Sequence, residues 1–443
     1  MNISLLDISQ PGDNKDYNGG YGTTFNVGGS LFSRLLMFSR VSGEKFPLLN
    51  FGYISAVLKD AGHQVSLDTN YIRDSADIIV LQPSLIRHRE EMSILKDIRQ
   101  KSSTKILLIG PLAENCPDVF REYCDAILCG DPEVYFSDNL ADIIESEQIL
   151  FESKFVKDLD SLPFPDWTIY DYKQFSQKPI FTRSPTTFIQ GSRSCPYKCN
   201  YCPYIAKGTK YRRRSVDQVV AELVQLKEKY GFRGAMFRDP VFSMDMKWAA
   251  QLCNQIIDNG IDMEFGCETR SDRLTFELID LMYQAGFRSI KLGIESPNTD
   301  LLENHLRRAP ALKQQEEIVK YCEHVGIKII AFFILGLPEE TREMALTTIN
   351  YSKKLGSSFA NFTICTPIPG TEFYTEVEDQ IFDLEWNNYD NFHPVFHTSH
   401  LSGSEIKKLQ ERALLTYYFR WCNVSLFFRL LLGRFIKPWV RTA

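Results

Sequence analysis

Three cysteines stand close together in TFIQGSRSCPYKCNYCPY, residues 187–204: Cys195, Cys199 and Cys202, in the spacing C-x3-C-x2-C. Thiolates so spaced can hold three irons of a 4Fe-4S cube, which leaves the fourth iron without a protein ligand. An iron left open is a binding place for another molecule. A zinc site short of its fourth ligand, or three unrelated thiols, are the alternatives; no histidine lies nearby to complete zinc. The other eight cysteines (Cys116, Cys124, Cys129, Cys253, Cys267, Cys322, Cys365, Cys422) have no repeated spacing, and the total of 11 is odd, which argues against a disulfide framework.

The elements that must position this loop form a repeated unit. From Thr186 to about Thr366 an apolar run, a loop, a helix-period stretch and a helix-ending glycine recur, the glycines being Gly231, Gly260, Gly286, Gly326 and Gly356. Strands are predicted at Thr187–Gln190, Ala235–Phe237, Met263–Cys267, Ser289–Ile294, Lys328–Leu335 and Phe359–Ile364. Ser215 and Gln218 form a capping pattern ahead of a helix that presents Val219, Val220, Leu223 and Leu226 on one face. Six βα units with right-handed crossovers curl a parallel sheet into a barrel short of the usual eight strands, a partial (βα)6 TIM barrel. The chemistry of such a barrel belongs at the carboxyl ends of its strands, where the cysteine loop opens.

The first 150 residues read as a separate, doubly wound, Rossmann-like α/β domain. Its strands are predicted at Ile3–Ile8, Gln64–Asp68, Ile78–Gln82, Lys105–Ile109 and Ala126–Cys129, with helices at Leu48–Ala61, Glu90–Gln100 and Glu133–Ile144. Ligands of such sheets sit beyond the strands' carboxyl ends, here the loops near Ser9–Asp13, Gln82–Ser84, Gly110–Glu114 and Gly130–Glu133. A connector rich in proline and aromatics occupies 151–182, the barrel 183–375, and a short, mainly helical carboxyl-terminal segment 376–443.

Composition bounds the partners. In 443 residues, 44% apolar and 24% charged, a net charge of -6 is too mild for capture of nucleic acid or of an anionic membrane, so small molecules or proteins are expected. The amino terminus has no basic stretch followed by an apolar run, which points to the cytoplasm. The apolar tail Ser425–Ile436 is short and interrupted by Arg429 and Arg434, and is expected to pack on the barrel rather than on a membrane.

At the cysteine loop, with Tyr201 just before the third cysteine, the chain resembles the radical S-adenosylmethionine (SAM) superfamily. Other stretches are similar to its branch with an amino-terminal cobalamin-binding domain: FPLLNFGYISAVLKDAGHQV, FRDPVF at 237–242, LGIES at 292–296, FILGLPEET at 333–341 and TPIPGTEFY at 366–374. That branch includes class B methyltransferases and the anaerobic magnesium-protoporphyrin ester cyclase group. The resemblance implies a 4Fe-4S cluster on Cys195, Cys199 and Cys202, SAM chelating the open iron, and reductive cleavage of SAM to a 5'-deoxyadenosyl radical. It also implies cobalamin, a methyl transfer to an unactivated carbon of a small or lipid-like substrate, and an external electron donor such as flavodoxin or ferredoxin.

The family pattern G-x-I-x-G-x-x-E maps onto Phe332, Ile334, Gly336 and Glu339, with phenylalanine in place of the first glycine. The glycine-rich segment after the second strand is replaced by Phe237, Arg238, Asp239 and Pro240, and Asp239 is assigned the SAM amino group. Arg270 in CETRSD is assigned the SAM carboxylate, because a guanidinium fork matches it; Glu295 is assigned a ribose hydroxyl or a cation. Gln82, Pro83 and Ser84 are expected beneath the corrin. No D-x-H-x-x-G accompanies His63 or His88, so no histidine is expected below cobalt.

Two other signals are discounted. KYRRR at 210–214 reads as a phosphate- or SAM-facing or solvated run, and His393, His397 and His400 as loop histidines. Besides the methyltransferase, the sequence leaves open an oxidative cyclase or another radical enzyme, and a protein whose cluster only relays electrons.

Overall fold

The computed structural model describes residues 1–24, 44–71, 76–137, 140–178, 180–204 and 210–419. The expected tail, Ser425–Ile436, lies outside the described residues.

Two six-stranded, all-parallel sheets organise the chain. The first contains β1 (Asn2–Asp7), β2 (Gln64–Thr69), β3 (Ile78–Leu81), β4 (Lys105–Ile109), β5 (Ala126–Gly130) and β6 (Leu150–Lys154), in the order β2-β1-β3-β4-β5-β6. Helix α1 (Leu49–Asp60) connects β1 to β2 and α2 (His88–Lys101) connects β3 to β4. The order reverses between β1 and β3, a switch point at which strand-end loops diverge and leave a crevice. β3 is buried along its whole length, as its Ile-Ile-Val-Leu run dictates for a strand covered on both faces. β6 is the strand missed from the sequence: FESK alternates poorly and its residues are half-buried or exposed, so no apolar periodicity marks it.

The second sheet follows the repeat: β7 (Thr186–Ile189), β8 (Gly234–Phe237), β9 (Glu264–Thr269), β10 (Phe287–Glu295), β11 (Lys328–Leu335) and β12 (Phe359–Ile364), each paired with its sequence neighbour. The five helix-ending glycines all have positive φ, from 58° at Gly260 to 102° at Gly286. Between the strands run α3 (Val216–Glu228), α4 (Met246–Asp258), α5 (Phe276–Gln284), α6 (Leu312–Val325) and α7 (Arg342–Leu355). α3 buries the expected stripe, and the Gln218 N–H donates to Ser215 Oγ at 3.3 Å. The Ser215 N–H, however, is taken by the Asp160 carboxylate at 3.0 and 3.1 Å, so the connector and not Gln218 completes that cap.

α8 (Gly403–Tyr418), opened by a Ser402–Glu405 capping box, lies against β12, where Gln410 Nε2 donates to the Phe362 carbonyl at 2.8 Å. One apolar cluster joins the two halves: Leu6, Tyr21, Leu112 and Phe120 pack with Leu301, Leu337, Ile368 and Val395. No described helix is long and apolar enough to cross a membrane.

Candidate functional site

The cysteine loop leaves the end of β7 and is pinched at its base, where Ser192 and Arg193 pair antiparallel with Arg213 and Arg212. Arg193 then clamps this base to the first half of the chain: Nη2 donates to Glu133 Oε1 at 2.7 Å, and Nη1 lies 3.2 Å from Asp131 Oδ1. Asp131 also receives Arg212. Arg213 pairs with Asp245 and Arg214 with buried Glu222, so all three arginines of KYRRR are engaged in ion pairs within the chain; Arg213 keeps partial exposure and Arg212 also lines a cavity.

All three cysteines line one cavity of about 340 Å³ at the carboxyl ends of the second sheet. Alternate residues of the strands form its wall: Glu268 from β9, Lys291, Gly293 and Glu295 from β10, Ile330, Phe332 and Ile334 from β11, Asn361 and Thr363 from β12. The period of two places them on one face of the sheet. Burial pushes the Cys202 thiol up to about 12 and raises that of Cys195, while the N–H groups of Tyr204 and Tyr197 donate to these sulfurs and oppose the rise. The Arg307 guanidinium donates to Cys199. Each sulfur thus has its own N–H donor, an arrangement that favours thiolate ligands. Among the described residues no three His, Cys, Asp or Glu side chains converge on a single metal ion. The donor set fits a cube, which presents a different iron to each thiolate.

Arg270 and Glu295 reach the same cavity. Arg270 donates through Nε and Nη2 to Asp272 at 2.9 and 2.8 Å, leaving Nη1 buried without a partner among the described residues. An unpartnered guanidinium N–H in a cavity fits a carboxylate. Tyr201 also lines the cavity, with its hydroxyl buried and without a partner among the described residues. Glu295 is 3.2 Å from Arg307, and burial raises its carboxyl despite Arg307 and Arg270. Its φ of 62° and that of Ser194, 70°, are left-handed conformations for residues with a Cβ, strain that flanks this site on both sides.

The remaining assignments fall elsewhere. Asp239 is fully buried away from the cavity wall: it accepts from the Gly191 N–H at 3.0 Å and from Ser192 Oγ at 2.5 Å, and so braces the start of the cysteine loop. Burial raises its carboxyl to about 6. Gly336 has a φ of 79° and does not line the cavity; a Cβ there would meet Ile406 at 3.0 Å. Its N–H donates at 2.6 Å to Glu340, not to Glu339, whose side chain is 53% exposed and lies 3.6 Å from His305. Burial lifts the Glu340 carboxyl to about 8.

In the first half, Gln82 accepts from Asn50 at 3.1 Å and donates to the Gly20 carbonyl at 3.2 Å, and Ser84 donates twice to buried Glu91. These residues are covered by the chain's own segment 14–24. A second cavity, about 220 Å³, lies between the ends of β4 and β5 and the cysteine loop, bounded by Asn50, Asn115, Gly130, Arg193 and Tyr204. His393 pairs with Asp390 at 3.0 Å.

Sequence reading missed Arg307, Lys291, Glu268 and Tyr197. Arg307 follows β10 in a stretch without any motif, and only the fold carries it to Cys199. Lys291 was legible as a charged residue inside the predicted strand Ser289–Ile294, and Glu268 directly follows the predicted strand Met263–Cys267, a mismatch that marks a polar interior.

The model of the Radical SAM superfamily matches residues 189–351, the stretch that carries the cysteine loop and strands β8 to β11, of which β9 to β11 line the cavity. Residues 189–351 are thereby similar to the radical SAM superfamily domain. Among curated proteins, the chain is 24% identical over 417 residues to the uncharacterized methyltransferase PH0819 of Pyrococcus horikoshii, covering 86% of this chain and 90% of that one. Its fold is similar to that of the radical SAM methyltransferase TsrM from Kitasatospora setae, solved with cobalamin and a [4Fe-4S] cluster (TM-score 0.62, 16% identity, 85% of this chain and 78% of that one). It is also similar to the cobalamin-dependent radical SAM enzyme OxsB, solved with aqua-cobalamin and SAM (TM-score 0.64, 14% identity, 94% of this chain and 66% of that one).

Proposed function

We propose that the chain reductively cleaves SAM on a 4Fe-4S cluster held by Cys195, Cys199 and Cys202, and that it passes a methyl group to an unactivated carbon with the help of a corrinoid. The observation that carries this reading is the convergence of three N–H-supported sulfurs and the unpartnered Arg270 Nη1 in one cavity. The second sheet is read as a partial barrel and the first as a cobalamin-type domain ahead of it. When bound, the cluster supplies an electron to SAM and the corrinoid carries the methyl group; the electron comes from an external donor of flavodoxin or ferredoxin type.

The chain's own residues position and exclude. Arg270 holds the SAM carboxylate, Arg307 supports Cys199 and restrains Glu295, and Asp239 fixes the loop through Gly191 and Ser192. Asp239 and Gly336 act behind the cavity wall, Glu339 at its edge. The corrinoid is assigned to the 220 Å³ cavity, where Asn50, Asn115 and Gln190 offer amides to its side-chain amides. Gln82, Pro83 and Ser84, at the end of the neighbouring strand where Gln82 meets the Gly20 carbonyl, are the residues that would lie beneath the ring.

Anaerobic reconstitution with iron, sulfide and hydroxocobalamin, followed by incubation with methyl-labelled SAM and a reductant, tests the reading. Label on the bound corrinoid together with 5'-deoxyadenosine supports it. Deoxyadenosine without label on a corrinoid points to a non-methylating radical enzyme such as a cyclase, and intact SAM refutes the catalytic reading.

A further inference from the structure

The 340 Å³ cavity has two unlike walls. One carries the cysteines and the charged groups, and each charge there is answered: Arg270 by Asp272 at 2.8 Å, Arg307 by Glu295 at 3.2 Å, Lys291 by Glu268 at 3.2 Å. With Arg270 Nη1 given to the SAM carboxylate, a further anion or cation would have to break one of these pairs. The other wall is apolar, built from Ile330 and Phe332 of β11 together with Phe392. Phe332 stands one strand layer, about 7 Å at two residues of rise, inward from Ile334, and its register partner on β12 is Asn361.

Two carboxamides interrupt that apolar wall. Asn14 is 4% exposed, and its Oδ1 is buried without a hydrogen-bond partner among the described residues. The residue cannot swing away, because its N–H and carbonyl both pair with Thr23 at 3.1 Å and neighbouring Lys15 is anchored to Glu91 at 2.7 Å. A buried, rigid, unpartnered acceptor disfavours the empty state and favours a ligand that brings a donor. Asn361, 8% exposed, supplies a second carboxamide from the adjacent strand β12, beside Phe332. Thr363 is not available in the same way, since its hydroxyl already donates to the Phe333 carbonyl at 3.1 Å.

We infer that this wall seats the substrate, and that it selects an uncharged, largely hydrocarbon molecule whose hydroxyl or amide N–H is received by Asn14 and Asn361. The inference rests on the radical SAM reading for its reaction but not for its test. Charged ends are disfavoured because they would be desolvated without a free counter-charge, and Phe332, in place of the family's glycine, gives the apolar wall its bulk.

The test uses reconstituted full-length protein with SAM present, loaded with Nile red as a neutral reporter and titrated with 1-decanol, decanoate and decylammonium. Decanol is expected to displace the dye at least about tenfold more effectively than either ion, a difference of one decade in affinity. Asn361→Leu is expected to weaken decanol by about tenfold, and Asn361→Asp to shift the preference toward decylammonium. Decanoate or decylammonium competing as well as decanol in the unaltered protein, or no displacement by any of the three, overturns the inference without recourse to a variant. Loss of SAM cleavage in the same preparation would refute the catalytic reading instead and leave this ranking standing.

Discussion

The two sheets of this protein have the same strand number and the same parallel arrangement, yet their carboxyl ends are treated in opposite ways. Beyond β1 and β3 the chain covers its own crevice: Gly20 caps Gln82, Glu91 takes Ser84 and Lys15, and Tyr21 is buried with its hydroxyl donating to Pro369 at 2.6 Å. Beyond β9 to β12 the ends open onto a cavity lined by thiols and by the unpartnered Arg270 Nη1 and Tyr201 hydroxyl. Burying unsatisfied polar groups costs stability, so they mark where a ligand completes the structure. The first crevice is closed by bonds within the chain, whereas the ends of the second sheet border a cavity.

The largest effect should come from the open sheet. Replacing Cys195, Cys199 and Cys202 together by alanine should abolish iron binding, from about four irons per chain to none, and with it SAM cleavage; iron and sulfide analysis checks this. Retention of a full cluster would end the distinction between the two sheets. Next is the joint between them. Arg193→Ala leaves Glu133, with 1% of its side chain exposed, without its cation while Asp131 keeps Arg212, and should destabilise the fold by about 3–5 kcal/mol in denaturant titration.

Glu340→Gln sharpens the comparison within the second half. Its carboxyl is lifted to about 8 by burial, above the ordinary 4.5, so the folded chain holds a proton there that the unfolded chain releases. Wild-type stability relative to the variant should therefore be greatest below about pH 4.5 and fall as pH rises toward 8, by a few kcal/mol at most. Thermal melts of both proteins between pH 5 and pH 8 check it, and curves that stay parallel would contradict it. The smallest effect belongs to the covered crevice: Gln82→Ala removes the bonds to Asn50 and Gly20 and should cost about 1–2 kcal/mol in chemical denaturation.

Much of this was legible from residue order. The six strands of the second sheet, its helix-ending glycines and the cysteine loop follow from apolar periodicity and local spacing, which short-range sterics decide. β6 was not, because FESK carries no alternation. Asp239 was placed by analogy with a neighbouring motif, but Gly191 and Ser192 hold its carboxylate behind the wall. Glu339 and Glu340 are adjacent and chemically alike, and the turn after Gly336 alone decides which is buried.

What the sequence determined by itself is the kind of chemistry: three thiols after a strand, in a run of βα units, with an iron left open. Which side chains share the cavity was decided only by tertiary structure. Arg307, Asn14 and Asn361 come from separate segments, and their meeting depends on strand register and on the docking of one half against the other. Those are long-range packing outcomes that no local pattern encodes.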